Sequence, residues 1–237
     1  MKIKKFLLLL ISLSGYTFIS VQGDELKREE RKAESFSGIA MAIPGNVYVK
    51  QGDAYEVIVE APESYLEHVI TEVDFNILKI KKDNYWMLHY KAKSINVHIT
   101  VPEIKYLAVS GSGRISVEKD LKAEEIELNV SGSGSIKIES IIVNEIESKI
   151  AGSGHIWLNG NENIRKHDLA ISGSGDLSAE GLITKKLIAK ISGSGSAYVY
   201  VTDEIDAAIS GSGSIYYEGD PKVNSKVSGS GKVRKTK

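Results

Sequence analysis

Three aromatic residues recur at one place in this sequence. Trp157, Tyr198 and Tyr216 each stand three residues after a Ser-Gly-Ser-Gly or Ala-Gly-Ser-Gly tetrapeptide. The same position reads Ser116, Lys137, Ser178 and Arg234 after the other four copies. Aromatic rings in line on an extended surface can stack on the C–H faces of sugars, and hydroxyls beside them donate and accept hydrogen bonds. The third residues of three tetrapeptides, Ser174, Ser194 and Ser212, supply such hydroxyls. Rings and serines together form the candidate glycan-binding face. The plainer reading is that the rings only cover a sheet or pack against a second copy of the chain.

Other chemistry finds less support. The residue just after each tetrapeptide reads Arg114, Ser135, His155, Asp176, Ser196, Ser214 and Lys232, so His155 and Asp176 are successive in that series. A lone His–Asp pair is far more often a surface contact than a catalytic dyad. His68, His89, His98, His155 and His167 are scattered, with no two at metal-ligand spacing. The chain has no cysteine, which excludes disulfides, thiolate zinc sites and Cys nucleophiles. No P-loop, GxSxG or HExxH motif occurs. The expectation is no metal, no cofactor and no enzymatic activity. With 30 Lys and Arg against 31 Asp and Glu in 237 residues, the whole chain offers no electrostatic case for nucleic acid as a partner.

Whatever positions these side chains must repeat with them. The tetrapeptides begin at Ser110, Ser131, Ala151, Ser172, Ser192, Ser210 and Ser228, at spacings of 21, 20, 21, 20, 18 and 18. They hold fourteen of the 22 glycines. A flexible linker explains one copy but not seven at a near-constant period. Val109, Val130, Ile150, Ile171, Ile191, Ile209 and Val227 precede them, and Ile115, Ile136, Ile156, Leu177, Ala197, Ile215 and Val233 follow two residues later. Leu107, Val109, Gly111, Gly113, Ile115 and Val117 share one parity, so period-two alternation is expected to run through the glycines, with the serines facing out. A strand with one apolar face cannot bury it alone, and stacked coils can. Residues 106–237 are therefore predicted as an all-β parallel β-helix, a solenoid of seven stacked coils of 18–21 residues. Each coil has three sides and the same glycine corner. Odd-even alternation, without an apolar residue every six positions, favours the right-handed form. Proline is absent from residue 103 to 220, as an unbroken ladder requires.

The flanking regions differ. Lys2, Lys4 and Lys5, the apolar run Phe6–Leu13 and the short residues around Val21-Gln22-Gly23 read as a signal peptide over residues 1–23. An exported protein is expected, in the periplasm, on the outer surface or outside the cell, with no transmembrane segment in the mature chain. Residues 24–34 mix both charges and read as a solvated tether or a short frayed helix. Residues 35–105 alternate in Val47/Val49, Tyr55/Val57/Val59, Leu78/Ile80 and Ile95/Val97/Ile99/Val101, with turns at Pro44-Gly45 and Gln51-Gly52-Asp53. A short helix is expected after Pro62. This region is predicted to form wider coils that continue the solenoid and cap it.

Phe36-Ser37-Gly38-Ile39, Val47-Tyr48-Val49-Lys50-Gln51-Gly52-Asp53, Tyr55-Glu56-Val57, Val97-His98-Ile99-Thr100-Val101-Pro102 and the SGSG rungs occur in an order that resembles the auto-transporter adhesin head GIN domain family. The resemblance runs over about residues 35–230. It implies an all-β, β-helical, secreted bacterial envelope protein, adhesin-like by analogy. The first expectation for function is a binding scaffold whose outward face contacts a surface glycan or an envelope protein. Residues 35–237 read as no outer-membrane barrel, so self-export of the autotransporter kind is not expected. The alternative is a structural envelope component that assembles with itself as a homo-oligomer and takes no small ligand.

Overall fold

The computed structural model describes residues 26–83, 95–160 and 163–236. The predicted signal peptide and His89 lie outside the described residues. Seven strands that end at the first glycine of a tetrapeptide stack in parallel and form one long side of the molecule. They are β8 (Tyr106–Gly111), β11 (Glu125–Gly132), β14 (Glu145–Gly152), β16 (Ile164–Gly173), the second half of β17 (Asp176–Gly193), the second half of β18 (Ser196–Gly211) and β20 (Lys222–Gly229). Strands that follow the tetrapeptide stack into a second side: β9 (Arg114–Val117), β12 (Ser135–Ile138), β15 (His155–Asn159), the first halves of β17 and β18, β19 (Ser214–Glu218) and β21 (Lys232–Lys235). A short third side holds β10 (Leu121–Lys122) against β13 (Ile141–Ile142). Seven strands on a side close about six turns of a β-solenoid, one fewer than the count of tetrapeptides.

The register follows the tetrapeptides. Val109, Val130, Ile150, Ile171, Ile191, Ile209 and Val227 are successive partners, and all but the last are buried. Val227 is 40% exposed because no rung covers it. The glycines depart from strict alternation. The first of each pair, such as Gly173 with φ +119°, turns the corner, and the second, such as Gly175, is buried inside it. A Cβ on Gly173 would sit 2.5 Å from the Gly152 carbonyl oxygen of the rung before. That oxygen also accepts the Ser174 N–H at 2.8 Å, so the corner itself is hydrogen-bonded from rung to rung.

The N-terminal region continues the stack and then reverses it. β2 (Gly38–Met41) lies parallel between β8 and β6 (Ile77–Lys82), and β3 (Asn46–Gln51) lies parallel between β9 and β7 (Asn96–Val101). Beyond them, β4 (Glu56–Pro62) is antiparallel to β7, and β5 (Val69–Asp74) is antiparallel to β6. Wider coils throughout residues 35–105 is therefore corrected to a mixed cap. Phe75 and Asn76, at φ 48° and 64°, make a two-residue turn of the kind that fits hairpin twist, and a chain reversed in two residues cannot pair in parallel. The expected helix is one turn, α1 (Glu63–Leu66), started by Pro62. The expected tether is also corrected. β1 (Leu26–Arg31) pairs antiparallel with β4, and its charges meet partners on β4 and α1: Arg28 with Glu60 at 2.5 Å, Lys27 with Glu63 at 2.6 Å. Opposite charges across an edge pair hold a strand whose one apolar residue, Leu26, is exposed.

Candidate functional site

The second side carries the predicted ring position as one outward column. Lys137, Trp157, Ser178, Tyr198, Tyr216 and Arg234 are partners on successive rungs. In the other direction the column continues through Ser116 and Tyr48 to His98. Strand pairing fixes these side chains about 4.8 Å apart, close to the contact distance of stacked rings. Tyr198 and Tyr216 stack with centroids 5.1 Å apart and planes at 13°, and Tyr48 and His98 do so at 5.2 Å and 17°. The Lys137 ammonium lies 5.0 Å over the centroid of Trp157, a cation–π contact. Tyr198 is exposed, and Trp157 and Tyr216 are half-buried.

The serines do not join this column. Ser174, Ser194 and Ser212 are exposed at the corner, four residues before Ser178, Tyr198 and Tyr216, a separation of about 13 Å along a strand. Their backbone N–H groups close the corner ladder onto Gly152, Gly173 and Gly193. Between corner and rings runs the column of Arg114, Ser135, His155, Asp176, Ser196 and Ser214, which flanks the rings far more closely. Arg114 Nε donates to Ser135 Oγ at 3.0 Å, and the Ser196 N–H donates to Asp176 Oδ1 at 2.7 Å. His155 and Asp176 are partners in register, yet the carboxylate is turned to Ser196 and no hydrogen bond joins it to the imidazole.

Sequence reasoning missed Tyr48 and His98, which no tetrapeptide precedes, and it missed a polar pair in the core. His167 and Ser148 are fully buried, with Ser148 Oγ 2.9 Å from His167 Nε2. His167 Nδ1 has no partner. Burial pushes the imidazole pKa down to about 4, against a small opposing pull from Asp168. No group of three His, Asp or Glu capable of holding a metal occurs among the described residues. On the first side a shallow groove of about 630 Å³ has a floor of Ala151, Ala170, Ala208 and Ser192, with Lys149, Lys190 and Lys226 along it. Lys149 is paired with Glu147 at 2.7 Å and Glu127 at 3.0 Å, and these hold its ammonium well above the usual lysine range. Among the described residues no helix is long and apolar enough to cross a membrane.

Fold and columns together define a β-solenoid that displays columns of side chains along its length. The family model described as "Putative auto-transporter adhesin, head GIN domain" matches residues 35–221, and the chain belongs to that family. No curated protein sequence matches it. A solved "putative adhesin" from Bacteroides fragilis is similar over 90% of this chain and 98% of its own, at 23% identity and TM-score 0.83. A "putative adhesin" from Parabacteroides merdae is similar over 90% and 97%, at 24% and 0.71. A "Putative lipid binding protein" from Parabacteroides distasonis is similar over the same shares, at 25% and 0.72.

Proposed function

We propose that this chain is a non-enzymatic binding scaffold, exported to the bacterial envelope or surface, whose aromatic column holds glycan. The observation that carries this reading is the column itself: Trp157, Tyr198 and Tyr216 held in line by strand register on an outward face. Rings fixed by the backbone lose little freedom on binding, so their stacking energy goes into affinity. The family's adhesin description agrees with a binding role. A glycan array probed with the purified protein should give hits that the Trp157→Ala/Tyr198→Ala double variant loses. Both rings lie outside the core, so the melting temperature should stay within a few degrees. Equal array signal from the folded double variant rejects this face.

A second reading rests on the groove of the first side. An apolar floor with lysines along it suits the chain and head group of an anionic amphiphile, in line with the name of the Parabacteroides distasonis neighbour. Saturable binding of a fluorescent fatty acid, lost in Ala170→Glu/Ala208→Glu, would support it.

A further inference from the structure

The aromatic column has a gap of defined size. The outer face of Trp157 is covered by Lys137, and the outer face of Tyr198 is covered by Tyr216. Each ring's remaining face therefore looks toward the rung between them, where the column holds only Ser178. Two rungs set the rings about 9.6 Å apart. A flat group centred between them would stand about 4.8 Å from each, beyond the about 3.5–4.0 Å of good carbon contact. A pyranose chair projects axial C–H bonds from both faces and closes that difference.

From this geometry we infer that the Ser178 gap is a slot for a single all-equatorial pyranose, a β-gluco-configured sugar unit, gripped on both faces by Trp157 and Tyr198. This deepens the glycan reading of the same column and rests on it. In such a sugar every hydroxyl lies at the ring's perimeter and both faces carry only C–H, so neither aromatic face meets a polar group. The slot provides for that perimeter. Ser178 is its half-buried floor, and Asp176 and Glu180 stand two residues to either side on the outward parity of the same strand. Asp176 spends Oδ1 on the Ser196 N–H, which leaves Oδ2 for a sugar hydroxyl. An axial hydroxyl, as at C4 of a galactose unit, would press a polar group without a partner against one ring, at a desolvation cost. Tyr198 and Tyr216 cannot do the same between themselves, because at 5.1 Å they already fill each other's faces.

Isothermal titration with cellotetraose and chitotetraose, and with a β-galactotetraose as control, tests the slot. The two gluco-configured probes should bind at least tenfold more tightly than the galactan. Ser178→Leu, which fills the slot from an outward position, should weaken them at least tenfold, while Ser178→Ala should stay within about threefold. Unchanged melting temperatures would confirm that both variants fold. If Ser178→Leu binds as the wild type while Trp157→Ala/Tyr198→Ala does not, the slot is wrong and the aromatic face stands. If no probe binds the wild type, the slot falls and the array decides the face; if the double variant binds as the wild type, both fall.

Discussion

His167 shows how one residue can set the protein's response to acid. Its imidazole is fully buried, and burial holds its pKa near 4 against an ordinary 6.5. The unfolded chain therefore binds the proton more readily than the folded one. The stability this residue contributes is complete above about pH 6.5 and drains away as pH falls toward 4. At about 1.4 kcal/mol per pH unit the loss approaches about 3 kcal/mol. Urea midpoints measured at pH 7 and pH 4.5 should fall further for the wild type than for His167→Leu/Ser148→Ala, which removes both partners and leaves no orphan. An equal fall would show that other groups carry the acid response. Nothing in the sequence marked this pair, because a histidine at an inward position of a regular strand looks like any other histidine until the register is known. The ring column was legible, since its residues keep a fixed offset from each tetrapeptide. The slot was not, because it depends on which face of each ring its neighbours already cover.

At the scale of elements, the corner explains why the tetrapeptide repeats. The first glycine needs a positive φ, and from Gly132 onward it approaches the previous rung's backbone so closely that a methyl group collides with a carbonyl oxygen. Gly173→Ala should cost at least about 2 kcal/mol by strain alone, whereas Ser172→Ala, exposed on the same turn, should stay within about 0.5 kcal/mol. Thermal melts of the two variants side by side decide this, and equal effects would reject the argument. The same corner made the solenoid readable, since it fixes register wherever it occurs. Where it is missing, reading failed for identifiable reasons. The turn at Phe75-Asn76 lacks the Asn-Gly or Gly-Gly pair that advertises a tight hairpin, so the reversal before β6 left no mark. β1 looked like a tether because its stabilising partners, Glu60 and Glu63, are more than thirty residues away in the chain.

For the whole molecule, the unequal ends matter most. The N-terminal end is covered by β1, α1 and the β5–β6 hairpin, with Tyr65 and Leu66 buried beneath. The C-terminal rung has a neighbour on one side only, and Val227 and the strands β20 and β21 are open. Because each rung touches only its neighbours, damage should depend on position. Ile171→Asp strands a charge in the middle of the stack and should abolish folding, while deleting residues 222–237 should shorten the rod and lower its melting temperature by only a few degrees. Circular dichroism of the two proteins checks this, and a folded Ile171→Asp would overturn the core assignment. The one-rung-at-a-time stacking also has a mechanical consequence. Pulled by its two ends, the rod is loaded like a zipper: the outermost rung carries the force while those behind it carry almost none. It should yield from the C-terminal edge at low force, one coil of 18–21 residues at a time. Each release would lengthen the chain by about 60–75 Å at about 3.5 Å per residue, so an optical-tweezers trace would read out the repeat as a staircase of nearly equal steps.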